Sequence, residues 1–313
     1  MKSINCPICG SDEYKKITNK GQHNIHLSVV ICQKCGFVYL NPRWSKKRYD
    51  IFYEKDYDKF YGRKNSNNEF LNKIKYETIN KRINEKLNNL IINNIIDIGA
   101  GEGSLLRLFS RDYDIKQLYA IEQSNLMRKK LNKKNINVIS SDVDTKWEKN
   151  INHNFDFIIM RHVLEHFLNP NEVLKKTNKV LSDNGYCYIA VPNMNNPKNS
   201  LYNNWFRVVH VSYFNLKTLK YILLNNGFEI IDFGKGNESD NPGEIWVLCK
   251  KAESTADLKN GKLLSDNYNK QMKILRKKRI KEPFYSFYRF TKNMLGKTPI
   301  GVLLKKIKHK MNF

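Results

Sequence analysis

The sequence predicts an α/β protein: a mostly parallel sheet covered on both faces, with a small four-cysteine module before it and a basic helical tail after it. Three observations predict this. Between about Ile95 and Lys250, short apolar runs alternate with amphipathic stretches, the pattern of strands joined by crossover helices. Four of the six cysteines fall into two identical C-x-x-C-G pairs. From Lys251 onward, 17 Lys plus Arg stand against 4 Asp plus Glu, which puts +13 of the chain's +25 into its last fifth.

The length of 313 residues suffices for one full core and a satellite module. We divide it into a knuckle module over 1–55, a helical linker over 56–90, the main α/β domain over 91–252 and a basic helical extension over 253–313. The apolar fraction is 41%, and no run approaches the roughly 18 apolar residues of a membrane-spanning helix. The opening "MKSINCPICG" has no apolar h-region, so a cytoplasmic location is expected. A net charge of +25 favours anionic partners such as phosphates, nucleic acid or an anionic membrane. A composition rich in Asn, Lys and Ile also produces such a charge with no partner at all.

The module comes first. In "CPICG" (Cys6, Cys9) and "CQKCG" (Cys32, Cys35), each pair aims two thiolates at one point, and 22 residues separate the pairs. Two such turns complete a tetrahedral four-thiolate site, which suits a structural zinc ion with no open position. A stretch this short cannot bury a core, so the metal would stand in for one. Cys187 and Cys249 lie in apolar runs, "GYCYIAV" and "EIWVLCK", and read as core thiols.

The main domain opens at "IINNIIDIGAGEGSLLRLF", which is an apolar strand ending at Asp97, a glycine turn and a helix. It lacks the third glycine of the dinucleotide fingerprint, since Ser104 stands there. Next come the strand "QLYAI" up to Glu122, a helix over about 124–134, the strand "INVIS" before Asp142 and the strand "FDFIIM" up to Arg161. A helix over about 170–181, a turn at "SDNG" and the strand "YCYIAVP" follow, then a helix over about 216–226 and the strands "FEIIDF" and "EIWVLCK". No helix separates the last two strands, so they are expected to pair as a hairpin.

Asp97-Ile98-Gly99-Ala100-Gly101-Glu102-Gly103 matches D/E-x-G-x-G-x-G in full, and with it the region from about Ile95 to Lys250 resembles the class I S-adenosylmethionine-dependent methyltransferases. The resemblance implies a Rossmann-like sheet of seven strands, mostly parallel, with the last strand antiparallel. It also implies that Asp97, Gly99, Ala100, Gly101 and Gly103 form the loop at the methionine part of the cofactor. Glu122, with Gln123 beside it, would take the ribose hydroxyls, and Asp142 would face the adenine amine. Asp97, Glu122, Asp142 and Arg161 fall at the carboxyl ends of strands, where open α/β sheets bind ligands, so Arg161 joins the cofactor set.

The stretch "RHVLEHF", Arg161 to Phe167, contains H-x-x-E-H, the inverted zinc-peptidase signature. Asn169-Pro170 follows too soon for a long helix, and the sequence offers no third ligand. Many members of the resembled family carry a similar "HVLEH" after the fourth strand, which places His162 or His166 beside the cofactor. A histidine is also a natural base for taking a proton from a hydroxyl. The candidate is His210 in "WFRVVHVSYFNLKTLKYILLNNGFEI", with His166 as second catalytic candidate. H-x-x-Y-F before an amphipathic helix, together with the cysteine knuckle and "NPR" at Asn41-Pro42-Arg43, resembles bacterial methyltransferases of sugars and surface polysaccharides. The acceptor expected is thus a sugar, nucleotide sugar or lipid-linked glycan. Deoxysugar C-methyltransferases carry Tyr, His and Glu where this chain has Arg207, Val208 and Val209, which favours methylation on oxygen over carbon. Methylation on nitrogen, an RNA acceptor and a non-catalytic scaffold are the alternatives. RNA is disfavoured because the Asn/Asp-Pro-Pro-aromatic loop of base N-methylating relatives is absent.

The tail, "QMKILRKKRIKEPFYSFYRFTKNMLGKTPIGVLLKKIKHKMNF", mixes basic with apolar residues, and Pro283 and Gly296 are expected to divide it into helical pieces. Such a segment suits an anionic membrane surface, here the inner membrane face, or an arm packed against protein.

Overall fold

A computed structural model describes residues 1–61, 69–87, 90–236, 243–252 and 263–295. The main sheet has seven strands. In chain order they are β4 (Asn94–Ile98), β5 (Gln117–Ile121), β6 (Asn137–Ser140), β7 (Phe155–Arg161), β8 (Leu181–Pro192), β10 (Phe228–Lys235) and β11 (Glu244–Lys251). A smaller sheet takes β1 (Tyr14–Lys20), β2 (His26–Cys32), β3 (Val38–Leu40) and β9 (Ser212–Tyr213).

The spatial order in the main sheet is β10-β11-β8-β7-β4-β5-β6. The pairs β4–β5, β5–β6, β4–β7 and β7–β8 are parallel, and β11 runs antiparallel to both β8 and β10. The expected seven-stranded sheet with an antiparallel last strand is therefore present, and the hairpin pairing of β10 with β11 with it. The chain leaves β4 toward β6 on one side and returns to β7 on the other, so the switch point lies at the carboxyl ends of β4 and β7.

The strands read as unbroken apolar runs because both of their faces are covered. Along β4, Ile96 and Ile98 pack on one side, together with Ile158, Met160 and Ile189. Ile95 packs on the other, with Phe157, Ile159, Tyr188 and Leu248. That second side is covered by α3 (Glu69–Asn84) and α4 (Ser104–Asp112), through Tyr76, Ile79, Ile83, Leu106 and Phe109. The 56–90 stretch thus contributes a packed layer in α3, where Arg82 reaches the Tyr188 hydroxyl at 2.6 Å. Cys187 and Cys249 are fully buried, as expected of core thiols.

Local signals set the remaining helices. Asn169 caps α6 (Pro170–Val180), accepting from the Glu172 N–H, with Pro170 in the first turn. Asn215 and Thr218 form a reciprocal capping box on α7 (Leu216–Leu224). Ser124 caps α5 (Asn125–Asn132). At "SDNG" the structure corrects the sequence reading in part. The strand starts at Leu181, and its register jumps from Leu181 opposite Phe155 to Tyr186 opposite Phe157. The turn is therefore a bulge inside β8.

The cysteine module is joined to the main domain by its own sheet. β9, from the loop before α7, pairs with β3 through Val38–Tyr213 and Tyr39–Ser212. The Leu40 N–H also donates to the Val211 carbonyl at 3.0 Å. Arg43 of "NPR" donates to the Leu168 carbonyl at 2.5 Å, which ties the module to the segment after β7. Two helices follow the module, α1 (Lys46–Lys55) and α2 (Tyr57–Tyr61).

The tail differs from expectation. It forms one helix, α8 (Asn267–Leu295), which runs through Pro283; Gly296 lies outside the described residues. A proline removes one helical hydrogen bond, but contacts on both sides of Pro283 hold this helix to the body. Gln271, Leu275, Glu282 and Tyr285 are buried. The Glu282 carboxylate accepts from the Ser200 hydroxyl at 2.6 Å and the Leu201 N–H at 2.5 Å. Among the described residues, no helix is long and apolar enough to cross a membrane.

Candidate active site

Four loops at the carboxyl ends of β4, β5, β6 and β7 enclose a cavity of about 190 Å³. Gly99, Glu122, Gln123, Ser124, Asp142, Asp144, His162 and His166 line it from the sheet side. Lys46, Tyr49, Asp50, Tyr53 and Tyr57 close it from α1 and α2.

The glycine turn follows β4. Gly99, Gly101 and Gly103 all have positive φ, at 85°, 57° and 75°, a region closed to most side chains. At Gly99 a Cβ would come within 2.7 Å of Val163, so glycine is required there by packing as well. At Gly101 a Cβ would meet nothing within 4 Å, so the backbone is bare on that side. The turn is held by Glu122, which accepts from the Gly101 N–H and the Ser124 N–H, each at 2.7 Å. One carboxylate oxygen takes each bond and keeps lone pairs for a further donor. Burial raises the Glu122 carboxyl above its ordinary range.

Asp142 lies across the cavity. Its carboxylate accepts from Lys46 of α1 at 2.6 Å and from the Asp144 N–H at 2.8 Å. The α1 helix is thereby pinned over the loop after β6.

Several sequence-predicted residues do not line the cavity. Asp97 is 4% exposed. Burial, reinforced by nearby Glu122, pushes its carboxyl up to about 7, against the pull of Arg161. Arg161 turns from the cavity to the fully buried Glu244, at 2.8 Å. Glu244 also accepts from His162 at 2.8 Å and faces Arg82 at 3.5 Å. Arg161 ends β7 as expected, and a buried acid on β11 holds its guanidinium. Ala100 belongs to the glycine turn, its carbonyl accepting from the Gly103 N–H.

The "RHVLEHF" stretch does not form a two-histidine pair. His162 sits at φ 55° and points to Glu244. His166 points the other way. Its Nδ1 lies 2.9 Å from the Tyr53 hydroxyl, and its ring packs edge-on against His210 with centroids 4.8 Å apart. Glu165 completes a cluster, in which ligand-capable atoms of Glu165, His166 and His210 all lie within 4.8 Å of one another. Burial drives His166 down to about 3 and His210 well below the ordinary histidine range, with Arg207 adding to both. Burial raises Glu165 to about 8. The sequence reading found no third ligand for this motif; the structure brings one near, 44 residues beyond His166, from the loop that leads into β9 and its pairing with β3.

Lys46, Tyr53 and Glu165 were missed from the sequence. Tyrosines recur at 49, 53, 57 and 61, every fourth residue, a one-face helical spacing that could have pointed to a tyrosine wall.

At the front of the chain, Cys6 and Cys35 sulfurs lie 3.5 Å apart, and so do those of Cys9 and Cys32. The four sulfurs form one group, and no disulfide joins them. The separation and the all-thiol donor set fit a tetrahedral ion with bonds of about 2.3 Å.

Residues 53–232 match the model of a family described as "Methyltransferase domain". No curated protein matches. Among solved structures, the chain is similar to the plantazolicin methyltransferase BamL in complex with a triazolic desmethylPZN analog and SAH, at 15% identity and TM-score 0.50, over 67% of this chain and 92% of that one. It is also similar to an S-adenosylmethionine-dependent methyltransferase from Clostridium acetobutylicum ATCC 824, at 14% identity and TM-score 0.47, over 66% and 99%. At 15% identity the likeness to BamL is one of fold alone.

Proposed function

We propose, from the premise that the chain belongs to the family of methyltransferase-domain proteins, that it methylates a hydroxyl oxygen of a sugar or glycan used in surface-polysaccharide synthesis. The methyl donor is S-adenosylmethionine. The observation that carries this reading is the cavity itself, with acids from β5 and β6 on one wall and tyrosines and a histidine on the other.

The residues present fit the donor. The bare backbone side of Gly101 allows close approach. Glu122 is already fixed by two backbone amides and keeps acceptor capacity for a ribose diol. Asp142 and Gln123 line the same end. When bound, S-adenosylmethionine supplies a methyl on a sulfonium, and transfer requires a nucleophile in line with the C–S bond. The chain's part is to hold that nucleophile and deal with its proton.

Tyr49, Tyr53 and Tyr57 provide ring faces and hydroxyls for a polyhydroxylated acceptor. Hydroxyl activation falls to the Glu165–His166–His210 cluster, where both imidazoles are held neutral and so keep a lone pair. His210 was the base expected from the sequence; it stands one ring behind His166 and acts with it. Arg207, Val208 and Val209, before His210, support oxygen rather than carbon as the nucleophile. The four-cysteine site would hold a structural zinc, whose role is to fix β2 and β3, and through β9 the His210 loop.

The test is label transfer. Full-length protein, S-adenosylmethionine with a labelled methyl and a lysate of cells lacking the gene are mixed. Nucleotide sugars, lipid-linked glycans, polysaccharide, RNA and protein are then separated. Label in a sugar fraction that falls sharply with His210→Ala is expected. Label in RNA or protein alone would overturn the acceptor assignment.

A further inference from the structure

The Glu165–His166–His210 cluster has a property that a pair of proton-accepting histidines does not need. Glu165 is 2% exposed, and its Oε2 has no hydrogen-bond partner among the described residues. Its Oε1 lies 3.8 Å from His162 Nδ1 and 3.8 Å from His166 Nε2, which is too far for a hydrogen bond. Neither histidine bonds the carboxyl group, whose own backbone N–H is a donor to it. A buried carboxyl oxygen with no partner is costly. His166 and His210, the two imidazoles grouped with it, pack edge-on with ring centroids 4.8 Å apart. The other nitrogen of His166 is committed to Tyr53 at 2.9 Å, the outer partner that orients a metal-ligating histidine.

We propose that Glu165, His166 and His210 bind a second, divalent transition-metal ion, separate from the four-cysteine site, with an open coordination position facing the cavity. Two histidines and one carboxylate are a donor set for zinc, iron(II), cobalt(II) or manganese(II). The ligand atoms lie within 4.8 Å. Bonds of about 2.0–2.2 Å bring tetrahedral ligands to roughly 3.4 Å apart, so binding draws the three side chains inward by about 1 Å. His166 lines the cavity, so a fourth ligand from that side is an oxygen of the molecule bound there.

The catalytic consequence rests on the methyl-transfer reading above. An acceptor hydroxyl on the ion loses its proton to solvent in the cavity more readily. The oxygen's electron pair then forms the C–O bond as the C–S pair returns to sulfur. The cluster keeps its activating role, but the ion takes the place of a histidine base: the lone pairs of the neutral imidazoles bind the metal instead of the proton. The motif that resembled a hydrolase's thus yields a metal site by a different pairing, with His210 in place of His162.

The experiment counts ions, without reference to turnover. Untagged full-length protein is stripped, titrated with cobalt(II) and followed by absorbance, and zinc-loaded protein is assayed by mass spectrometry. Two ions per chain are expected, one with the sulfur-to-cobalt charge-transfer band of a thiolate site and one without. Glu165→Gln and His210→Ala should each reduce the count from two to one and leave that band unchanged. Zinc should raise the melting temperature of the wild type by a step that both variants lack, and circular dichroism checks that they fold. One ion per chain in the wild type, or two in both variants, overturns the proposal. S-adenosylhomocysteine binding, measured separately by calorimetry, tests the methyl-transfer reading: its loss would remove the catalytic role and leave the ion count standing.

Discussion

The side-chain amide of Asn267, at the start of α8, donates to the carbonyl oxygen of Cys35 at 2.7 Å. The last helix of the chain is thereby fastened to the second cysteine knuckle, 232 residues away in sequence. Asn267 and Gln271 also accept from the Asn215 side chain at 3.0 Å each. One buried polar junction thus joins the knuckle, the cap of α7 and the tail.

Gly36 sits at this junction with φ 71°, and a Cβ on it would come within 2.6 Å of the Tyr268 backbone nitrogen. Gly36→Ala should therefore add left-handed strain of about 1–2 kcal/mol to a clash that no side-chain rotation relieves. A fall in melting temperature of at least about 5 °C is expected. An unchanged melting curve would show that α8 can shift without cost.

Along α8 the exposure of the apolar side chains alternates. Tyr285 is buried, whereas Ile280 is 80% exposed and Phe287 56% exposed among basic neighbours. Ending the chain after residue 286 should preserve the melting temperature and cofactor affinity but weaken co-sedimentation with phosphatidylglycerol vesicles. Ending it at residue 270 removes Gln271, Leu275, Glu282 and Tyr285 and should destabilise the fold. Undiminished vesicle binding by the longer truncated chain would rule out an anionic-membrane role for residues 287–313.

Glu122 and Gly101 test the cofactor end of the cavity. Glu122→Ala removes a carboxylate that holds two backbone amides and is expected to take the ribose hydroxyls. At about 1.5–3 kcal/mol for hydrogen bonds to a charged group, affinity for S-adenosylhomocysteine should fall roughly 10- to 100-fold by calorimetry. Gly101→Ala has room for its methyl, so the protein should fold at a cost of about 1–2 kcal/mol and still bind more weakly. Wild-type affinity in both variants would place the cofactor elsewhere.

Asp97 makes stability depend on pH. Its folded-state carboxyl is raised to about 7 from an ordinary value of 3.8, so the folded state binds the proton more tightly than the unfolded state. Below about pH 4 both states are protonated and no difference arises. As pH rises toward and through 7 the folded state loses this advantage, up to about 4 kcal/mol at roughly 1.4 kcal/mol per unit. Asp97→Asn cannot ionise. Its melting temperature relative to wild type should therefore climb between pH 4 and 8 and then level off. A difference constant across that range would contradict the raised carboxyl.

Much of this architecture is written locally. The apolar runs at Ile95–Ile98 and Phe157–Met160, the cap at Asn169-Pro170 and the glycine spacing after Asp97 each depend on residues within one or two turns of each other. Periodicity and backbone sterics therefore determined the alternation of strands and helices, the closing hairpin and the position of the glycine turn, while the count of seven strands and the antiparallel last strand were what the resemblance carried by the glycine motif implied. The pairing of cysteines by C-x-x-C spacing is legible for the same reason. What pairs across the fold is not. Glu244 captures Arg161 and His162, Lys46 lies on Asp142, Glu282 braces α8 past Pro283, and His210 meets His166 and Glu165. Each of these joins residues from separate elements that only the folded chain brings together; for Glu244 and Glu282 the choice of partner is made by burial, where an unpaired charge is too costly to leave. The sequence by itself determined the order of strands and helices and the glycine turn. Only the tertiary structure decided which of its histidines face one another, because that depends on a two-residue strand, Ser212–Tyr213, finding the edge of the cysteine module.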